Sequence, residues 1–272
     1  MARTAAGRAG AGLFIGTAPI EGEDDRMERR EAYPTDTQHI VNLSGYVWAA
    51  KQIPGLDRLR VLDLACGTGY GSDYLSGKAG RVVGVDCAPE IVARNRARYG
   101  YSGASFLAMD GCALGFQDES FDCILSQDTI EHIVDDRRFV AEVARVLRKT
   151  GRLVIFTPHG KSVLDKPEDP YHVREYNQEE FREILSPYFS SIRWFGRRQG
   201  ARLQAAERSM DSVRRFDPGG LRNIVPRPVR HWLGGVVSRL QGGPSLKTLT
   251  PEDIEYAEGV ASDTNLIGIC MK

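Results

Sequence analysis

The sequence has no excess charge of either sign. Its 36 basic residues are matched by 36 acidic ones, so no global field draws it toward nucleic acid, and no nucleic-acid partner is expected. It also lacks any run near the roughly 20 consecutive apolar residues that a membrane span requires. The apolar piece Ala11–Ile15 is too short and too interrupted by glycine for a secretory segment. Its 5 cysteines, Cys66, Cys87, Cys112, Cys123 and Cys270, show neither Cys-x-x-Cys nor zinc-type spacing. Four lie within or just after strand-like apolar runs and Cys270 in the last such run, so they read as small core fillers of a reduced, cytoplasmic protein. No internal repeat stands out. What remains is a chain of 272 residues, 42% hydrophobic, which suits one large core with an insertion.

From Arg60 onward, short β-rich runs alternate with helical stretches. Strands are expected at Arg60–Leu64, Arg81–Val85, Ser105–Ala108, Cys123–Ser126 and Arg152–Thr157, with helices at Gly71–Leu75, Pro89–Tyr99 and Asp136–Leu147. In the last helix Phe139, Val140, Val143, Val146 and Leu147 recur at helical spacing. This order implies parallel pairing through right-handed crossovers, and uniformly apolar runs suit strands covered on both faces. The fold class is therefore α/β and Rossmann-like, a mostly parallel sheet with helices on both faces. Further on, Glu179–Leu185 reads as a helix, with Ser191–Phe195 and Asn265–Met271 as an antiparallel edge pair. The Pro- and Gly-punctuated segment 196–251 between them reads as a lid or substrate insertion. Residues 1–35 read as a flexible tail and 36–272 as the domain, in which Asp36–Lys51 forms an amphipathic helix able to cover a bound cofactor.

The chemistry concentrates after the strands. Val61-Leu62-Asp63-Leu64-Ala65-Cys66-Gly67-Thr68-Gly69-Tyr70-Gly71 is an apolar strand ending in a glycine loop that opens a helix. Gly67 and Gly69 let the backbone turn and approach a ligand closely. Asp63 beside them would repel a pyrophosphate and welcome a cationic amino group. The second strand ends in Asp86, able to accept from two ribose hydroxyls, and the third runs into Asp110-Gly111-Cys112, able to accept from an adenine amino group. Carboxylates at the ends of three successive strands share the carboxyl edge, where open α/β sheets bind ligands. S-adenosylmethionine, which has an ammonium and a sulfonium and no phosphate, fits such an acidic edge. The alternative, a nicotinamide-dependent oxidoreductase, would need a third glycine where Ser72 stands, and Asp63 counts against it.

Taken in order, D-L-A-C-G-T-G-Y-G, V-V-G-V-D, A-M-D-G, S-F-D-C-I-L-S-Q-D-T-I-E-H-I and L-R-K-T-G-R-L-V-I-F-T-P-H resemble the motifs of class I S-adenosylmethionine-dependent methyltransferases. The branch they look most like includes ubiquinone-pathway and glycan O-methyltransferases. The resemblance spans Val61 to Thr157. It implies a seven-stranded sheet with a reversed last strand and S-adenosyl-L-methionine as cofactor. Carried over by position, Asp63 and Gly67 to Gly69 would hold the methionine end, with Ala65 and Cys66 completing that loop. Asp86 would hold the ribose with Cys87 beside it, Asp110 and Gly111–Cys112 the adenine, and Gln127 would line the cavity beside the methyl group. The function implied is O-methylation of a sugar or other polyhydroxylated small molecule. Transfer to nitrogen or carbon, and a binding module without turnover, stay open as alternatives.

Methyl transfer to a hydroxyl needs an aligned acceptor, excluded water and a place for the proton. His159, in Thr157-Pro158-His159-Gly160, is the first candidate for general base, because an imidazole with an ordinary pKa of about 6.5 suits that task; a further metal ligand and a solvent-facing rim histidine are the alternatives. Asp128-Thr129-Ile130-Glu131-His132 is similar to the E-x-x-E-H element of some metal-binding O-methyltransferases. That likeness implies Asp128, Glu131 and His132 as ligands of Mg2+ or another divalent cation, with His132 also near the chemistry. A Glu-His pair that only stabilises the turn after the strand is the competing reading. Asp169-Pro170-Tyr171-His172-Val173-Arg174-Glu175-Tyr176 resembles the acceptor loop of glycan-modifying relatives. There Tyr171 would stack on a ring and His172, Arg174 and Tyr176 would donate to hydroxyls, unless Arg174 and Glu175 simply anchor the loop. His39 is expected to pack.

The segment Arg193–Leu240 carries eleven arginines against Glu207, Asp211 and Asp217, and Val229–Leu240 sets Trp232, Leu233, Val236, Val237 and Leu240 on one helical stripe. A solvated lid, a pocket for an anionic acceptor, and peripheral docking to an anionic membrane to reach a lipid-linked glycan all fit this pattern. The oligomeric state is not encoded in any of these features.

Overall fold

The computed structural model describes residues 37–165, 167, 169–204, 249–260 and 265–272. The tail 1–35, Asp36 and most of the insertion 196–251, with His231 and the stripe 229–240, lie outside the described residues.

The leading helix α1 (Thr37–Gln52) is followed by β1 (Arg60–Leu64), α2 (Tyr70–Ser76), β2 (Arg81–Asp86), α3 (Pro89–Tyr99), β3 (Ala104–Ala108), β4 (Phe121–Gln127), α4 (Asp136–Val146) and β5 (Leu147–Pro158). Then come α5 (Gln178–Leu185), β6 (Ser191–Gln199), β7 (Ile254–Glu258) and β8 (Asn265–Met271). They build one sheet in the order β3-β2-β1-β4-β5-β8-β6-β7. Strands β1 to β5 pair in parallel, β8 lies antiparallel between β5 and β6, and β7 pairs antiparallel with β6.

The two faces are packed separately, as the uniformly apolar strands require. Leu62, Leu64, Ile124, Leu153 and Ile155 meet Phe139, Val140 and Val143 of α4 and Phe181 and Leu185 of α5. Val61, Cys123, Leu125, Val154 and Phe156 point the other way, toward Tyr46 and Ala49 of α1, Leu75 of α2 and Val92 of α3. Local signals fix where helices begin. Asp135 caps α4 by accepting from the Arg138 amide at 3.1 Å, and Asn177 with Glu180 forms a reciprocal capping box on α5.

Several sequence expectations need correction. Among the described residues the sheet has eight strands, not seven, and the β6–β8 pair is not its edge. Strand β7 reads Ile-Glu-Tyr-Ala-Glu, half-buried, with Ile254 covered and Glu255 and Glu258 exposed. A search for continuous apolar runs passes over such an edge strand. Strand β5 likewise starts at Leu147, paired with Phe121 across a register irregularity, where the charged Arg148-Lys149 hides it. Among the cysteines, Cys66, Cys123 and Cys270 are buried, but Cys87 is exposed and Cys112 half-buried. These last two follow β2 and β3 rather than lying within them, so they are rim residues and not core fillers.

Candidate active site

The strand order reverses between β1 and β4, and the carboxyl ends of β1 to β5 all open on that side, as parallel pairing demands. On the β1–β3 half the glycine loop is rigidly held. Gly67 and Gly69 have φ of 49° and 77°. A Cβ on Gly69 would come within 2.8 Å of the Asn95 side chain, whereas one on Gly67 would meet nothing within 4 Å. Gly67 thus leaves an open cradle beside the loop, and Gly69 is required by close packing. Asn95, 2% exposed on α3, donates to the Gly67 carbonyl at 2.7 Å. The Gly67 amide donates to Asp86 Oδ2 at 2.9 Å and the Ala88 amide to Oδ1 at 3.0 Å. Burial raises the Asp86 pKa while these amides pull it down.

Asp63 lies deeper, with no exposure. It accepts from Ser72 Oγ at 2.6 Å and from Tyr46 Oη of α1 at 3.0 Å. Burial outweighs these bonds and pushes its pKa up to about 6. Gly71 makes the arrangement possible, because a Cβ there would stand 2.1 Å from the Tyr46 ring. Ala65 and Cys66 lie on the same loop, Ala65 with φ of 61°. Asp110 is exposed and accepts from the Cys112 amide at 2.8 Å, which shapes the turn through Gly111. His39 packs edge-on against Tyr70, 4.8 Å between ring centres.

The β4–β5 half is arranged differently. Gln127 donates through Nε2 to the Asn42 carbonyl of α1 at 3.0 Å, while its Oε1 is buried without a partner. Asp128 stands in the left-handed region at φ 49°. It accepts from Asn265 at 3.0 Å and faces Arg197, whose Nη1 is buried without a partner. Glu131, 1% exposed, accepts from Thr157 Oγ1 at 3.0 Å through Oε2, and its Oε1 has no partner. Burial, reinforced by the charge of Asp128, pushes its pKa well above the ordinary carboxylate value.

Potential ligand atoms of Glu131, His132 and His172 all lie within 4.8 Å of one another. Asp128 is not in that group, which corrects the expected set Asp128, Glu131 and His132. Its left-handed backbone and its bond to Asn265 hold it on the side toward β8 and β6. The acceptor-loop residues also need revision. Tyr176 is fully buried, its hydroxyl donating to Asp136 at 2.8 Å and its ring 5.1 Å from Phe181. It is a core residue and cannot reach a ligand. Arg174 ion-pairs with Asp136 and donates to the Val134 carbonyl at 2.7 Å, so it anchors the loop. Tyr171 is half-buried, and its carbonyl faces His132 Nδ1 at 3.0 Å. His159 is half-buried just beyond β5, and its backbone bridges to Tyr176.

Several residues here carried no sequence signal. Tyr46, Asn95, Asp136 and Arg197 act across long sequence separations, and Ser72 was legible only as a missing glycine. Tyr74 of the glycine-loop helix and Lys78 just beyond its end are neighbours on one side of that helix. There the Lys78 ammonium sits 4.9 Å over the Tyr74 ring, a cation–π contact away from the β4–β5 rim. Of the arginines expected to form a basic field, Arg193, Arg197 and Arg202 pair with Glu258, Asp128 and Asp253. Among the described residues, no helix is long and apolar enough to cross a membrane.

Residues 62–155 match the family model of a methyltransferase domain. A probable S-adenosylmethionine-dependent methyltransferase of Mycobacterium tuberculosis is 35% identical over 148 residues, 53% of each chain. A probable chloroplastic tocopherol O-methyltransferase of Oryza sativa is 35% identical over 102 residues, 36% of this chain and 28% of its own. The chain thus spans about half, or less, of the length of these curated relatives. A Thermotoga maritima structure described as an S-adenosylmethionine-dependent methyltransferase, possible histamine N-methyltransferase, superposes with a TM-score of 0.59. It is 18% identical and covers 93% of this chain and 97% of its own, a likeness of fold. The glycine loop, the acidic strand ends and these likenesses set the nicotinamide alternative aside: residues 62–155 form a methyltransferase domain, similar in sequence to S-adenosylmethionine-dependent methyltransferases.

Proposed function

We propose that this chain transfers a methyl group from S-adenosylmethionine to a hydroxyl of a sugar or other polyhydroxylated small molecule. One observation supports the reading: the hydrogen-bonded glycine loop with its acids and the neighbouring rings of His132 and His172 lie on the carboxyl side of one sheet. The residues fit the cofactor. Gly67 leaves open space against a loop fixed by Asp86 and Asn95, and the neighbouring acids suit a cationic ligand without phosphate. Asp63, Ala65, Cys66, Gly67 and Gly69 would hold the methionine end, Asp86 and Cys87 the ribose, Asp110 and Gly111 the adenine, with Gln127 beside the reacting group. S-adenosylmethionine, when bound, supplies a sulfonium methyl open to in-line displacement.

The chain's own work is then to align an acceptor oxygen, exclude water and take its proton. His159, at the end of β5, is the group assigned to the proton. The half-buried His172 and Tyr171 supply polar groups on the same side, which suits an acceptor rich in hydroxyls. The tocopherol relative, by its name, methylates oxygen, in line with this reading. An anionic or lipid-linked acceptor rests on the arginine-rich segment 208–239, and divalent-metal assistance on the histidine cluster.

The test is radiolabelled methyl transfer from S-adenosylmethionine across a panel of sugars, glycosides, catechols and amines. Label in alcohol acceptors is expected. Label confined to amines or carbon acids would replace this reading with N- or C-methylation.

A further inference from the structure

We propose that Asp128 is the residue that holds the acceptor, and that Arg197 behind it sets the site for a neutral hydroxyl rather than an ammonium. This pair rests on the transfer reading above and determines specificity within it.

Asp128 follows Gln127 directly, at the carboxyl end of β4, on the side assigned to methyl transfer. Its backbone lies in the left-handed region at φ 49°, which costs free energy in a residue with a side chain and persists where the surroundings enforce it. The surroundings here are specific. The Asp128 amide donates to the Phe156 carbonyl at 3.1 Å. Asn265 Nδ2 donates to Oδ1 at 3.0 Å, and Arg197 Nη2 stands 3.7 Å from Oδ2. The side chain nevertheless keeps 29% of its surface exposed, against 9% for Arg197. A carboxylate has about four acceptor sites, so Asp128 has both capacity and access left for a donor from outside the chain.

The support comes from one cross-strand row. Pro158, Asn265, Arg197 and Tyr256 stand opposite one another in register across β5, β8, β6 and β7. Residues paired in this way share a face of the sheet. Asn265 and Arg197 therefore meet Asp128 together, and Tyr256 backs Arg197 from the outer strand. Ser44 Oγ donates to the Val41 carbonyl at 2.6 Å, so Tyr256 Oη is the donor in its own 2.6 Å bond to Ser44. The tyrosine oxygen accepts in turn from Arg197, which offsets part of the rise that burial causes in its pKa. Its ring stacks on Trp48 of α1, 4.9 Å between centres. Strand β7, the strand beyond the seven expected, thus fixes the guanidinium from behind.

Arg197 decides the charge of the acceptor. A carboxylate standing alone attracts an ammonium. With a buried guanidinium 3.7 Å away the pair is close to neutral, and the remaining lone pairs of Asp128 still accept from a hydroxyl. An ammonium would meet Arg197 as a like charge, a repulsive element that discriminates against amines. Glu131, which feels the charge of Asp128, is itself buried with its charged form disfavoured, so it does little to reverse this.

The experiment is radiolabelled transfer from S-adenosylmethionine to methyl glycosides and to the matching aminodeoxy glycosides, with S-adenosylhomocysteine affinity measured beside it. Wild type should show the higher kcat/KM on the neutral glycosides. Asp128→Asn, chosen because asparagine tolerates the left-handed backbone, should raise the glycoside KM roughly 10–100-fold through the lost charge-assisted hydrogen bond. Its kcat should change less and its cofactor affinity not at all. Arg197→Gln should move the preference toward the amines roughly tenfold, the order expected for one charge at this distance in a polar medium. Arg197→Lys should restore the wild-type preference, and Tyr256→Phe should shift it as Arg197→Gln does, by less. A purely structural role would lower stability without moving that ratio. Label on the glycosides with an unmoved KM in Asp128→Asn, or an unmoved ratio in Arg197→Gln, overturns this assignment alone. Label confined to amines in wild type, or none on any acceptor, removes the transfer reading and this assignment with it.

Discussion

The two halves of the sheet edge treat their buried polar atoms in opposite ways. On the β1–β3 side, Asp63, Ser72, Asp86 and Asn95 are all engaged, chiefly with one another's loops. On the β4–β5 side, Ser126 Oγ, Gln127 Oε1, Glu131 Oε1 and, across from Asp128, Arg197 Nη1 are buried without partners. An unpaired buried group costs about 1–3 kcal/mol, so such a cluster is kept where a ligand completes it. On the proposed function, the difference means that the half assigned to the cofactor is preorganised by the chain itself, while the half assigned to the acceptor keeps polar atoms for what binds there.

The largest test of that contrast is His159→Ala. It should lower turnover roughly 10²–10⁴-fold and leave S-adenosylhomocysteine affinity unchanged, as read by steady-state kinetics beside calorimetry. A parallel loss of affinity would merge the two halves. Asp86→Ala should do the reverse, weakening cofactor binding by about 1.5–3 kcal/mol through lost charge-assisted hydrogen bonds. Unchanged affinity would remove Asp86 from the ribose site.

Asp63→Asn sharpens the comparison through pH. Its folded pKa rises from 3.8 to about 6, so between those values the unfolded chain releases a proton that the folded chain keeps. Wild-type stability therefore falls as pH rises from about 4 to 6, and the deficit stays constant above that. Against this background the Asn variant should gain on the order of 1–3 kcal/mol over wild type above pH 6. Denaturant melts at acid and neutral pH would read the gain, and a pH-independent difference would refute the buried-charge account. The smallest effect is expected at Tyr176→Phe, about 0.5–1.5 kcal/mol of stability from the lost bond to Asp136. The acceptor KM should not move. A raised KM would return Tyr176 to the pocket.

The same division explains what could be read from the sequence. The β1–β5 pattern, the glycine loop and the acids after β2 and β3 are local, because each strand end carries its own residues to the edge. The helix Pro89–Tyr99 and the strand Asn265–Met271 even match at both ends. The partners are not local. Tyr46 reaches Asp63 from another helix, Asp136 claims both Arg174 and Tyr176, and Asn265 holds Asp128 across 137 positions. Hence Tyr176 reads as a pocket residue and Asp128 as a metal ligand until the fold brings their partners in. His172 stands in the cluster in place of Asp128 for the same reason, since no spacing announces that a residue 40 positions after His132 lies beside it.

The most direct measurement is calorimetric titration of S-adenosylhomocysteine into metal-stripped, acceptor-free protein, wild type and His172→Ala. Because the β1–β3 half is complete without either ligand, both should bind one equivalent with the same micromolar affinity. Binding that requires metal or acceptor, or that is lost with His172, would contradict a preformed cofactor half, and no binding in either protein would remove the cofactor assignment itself.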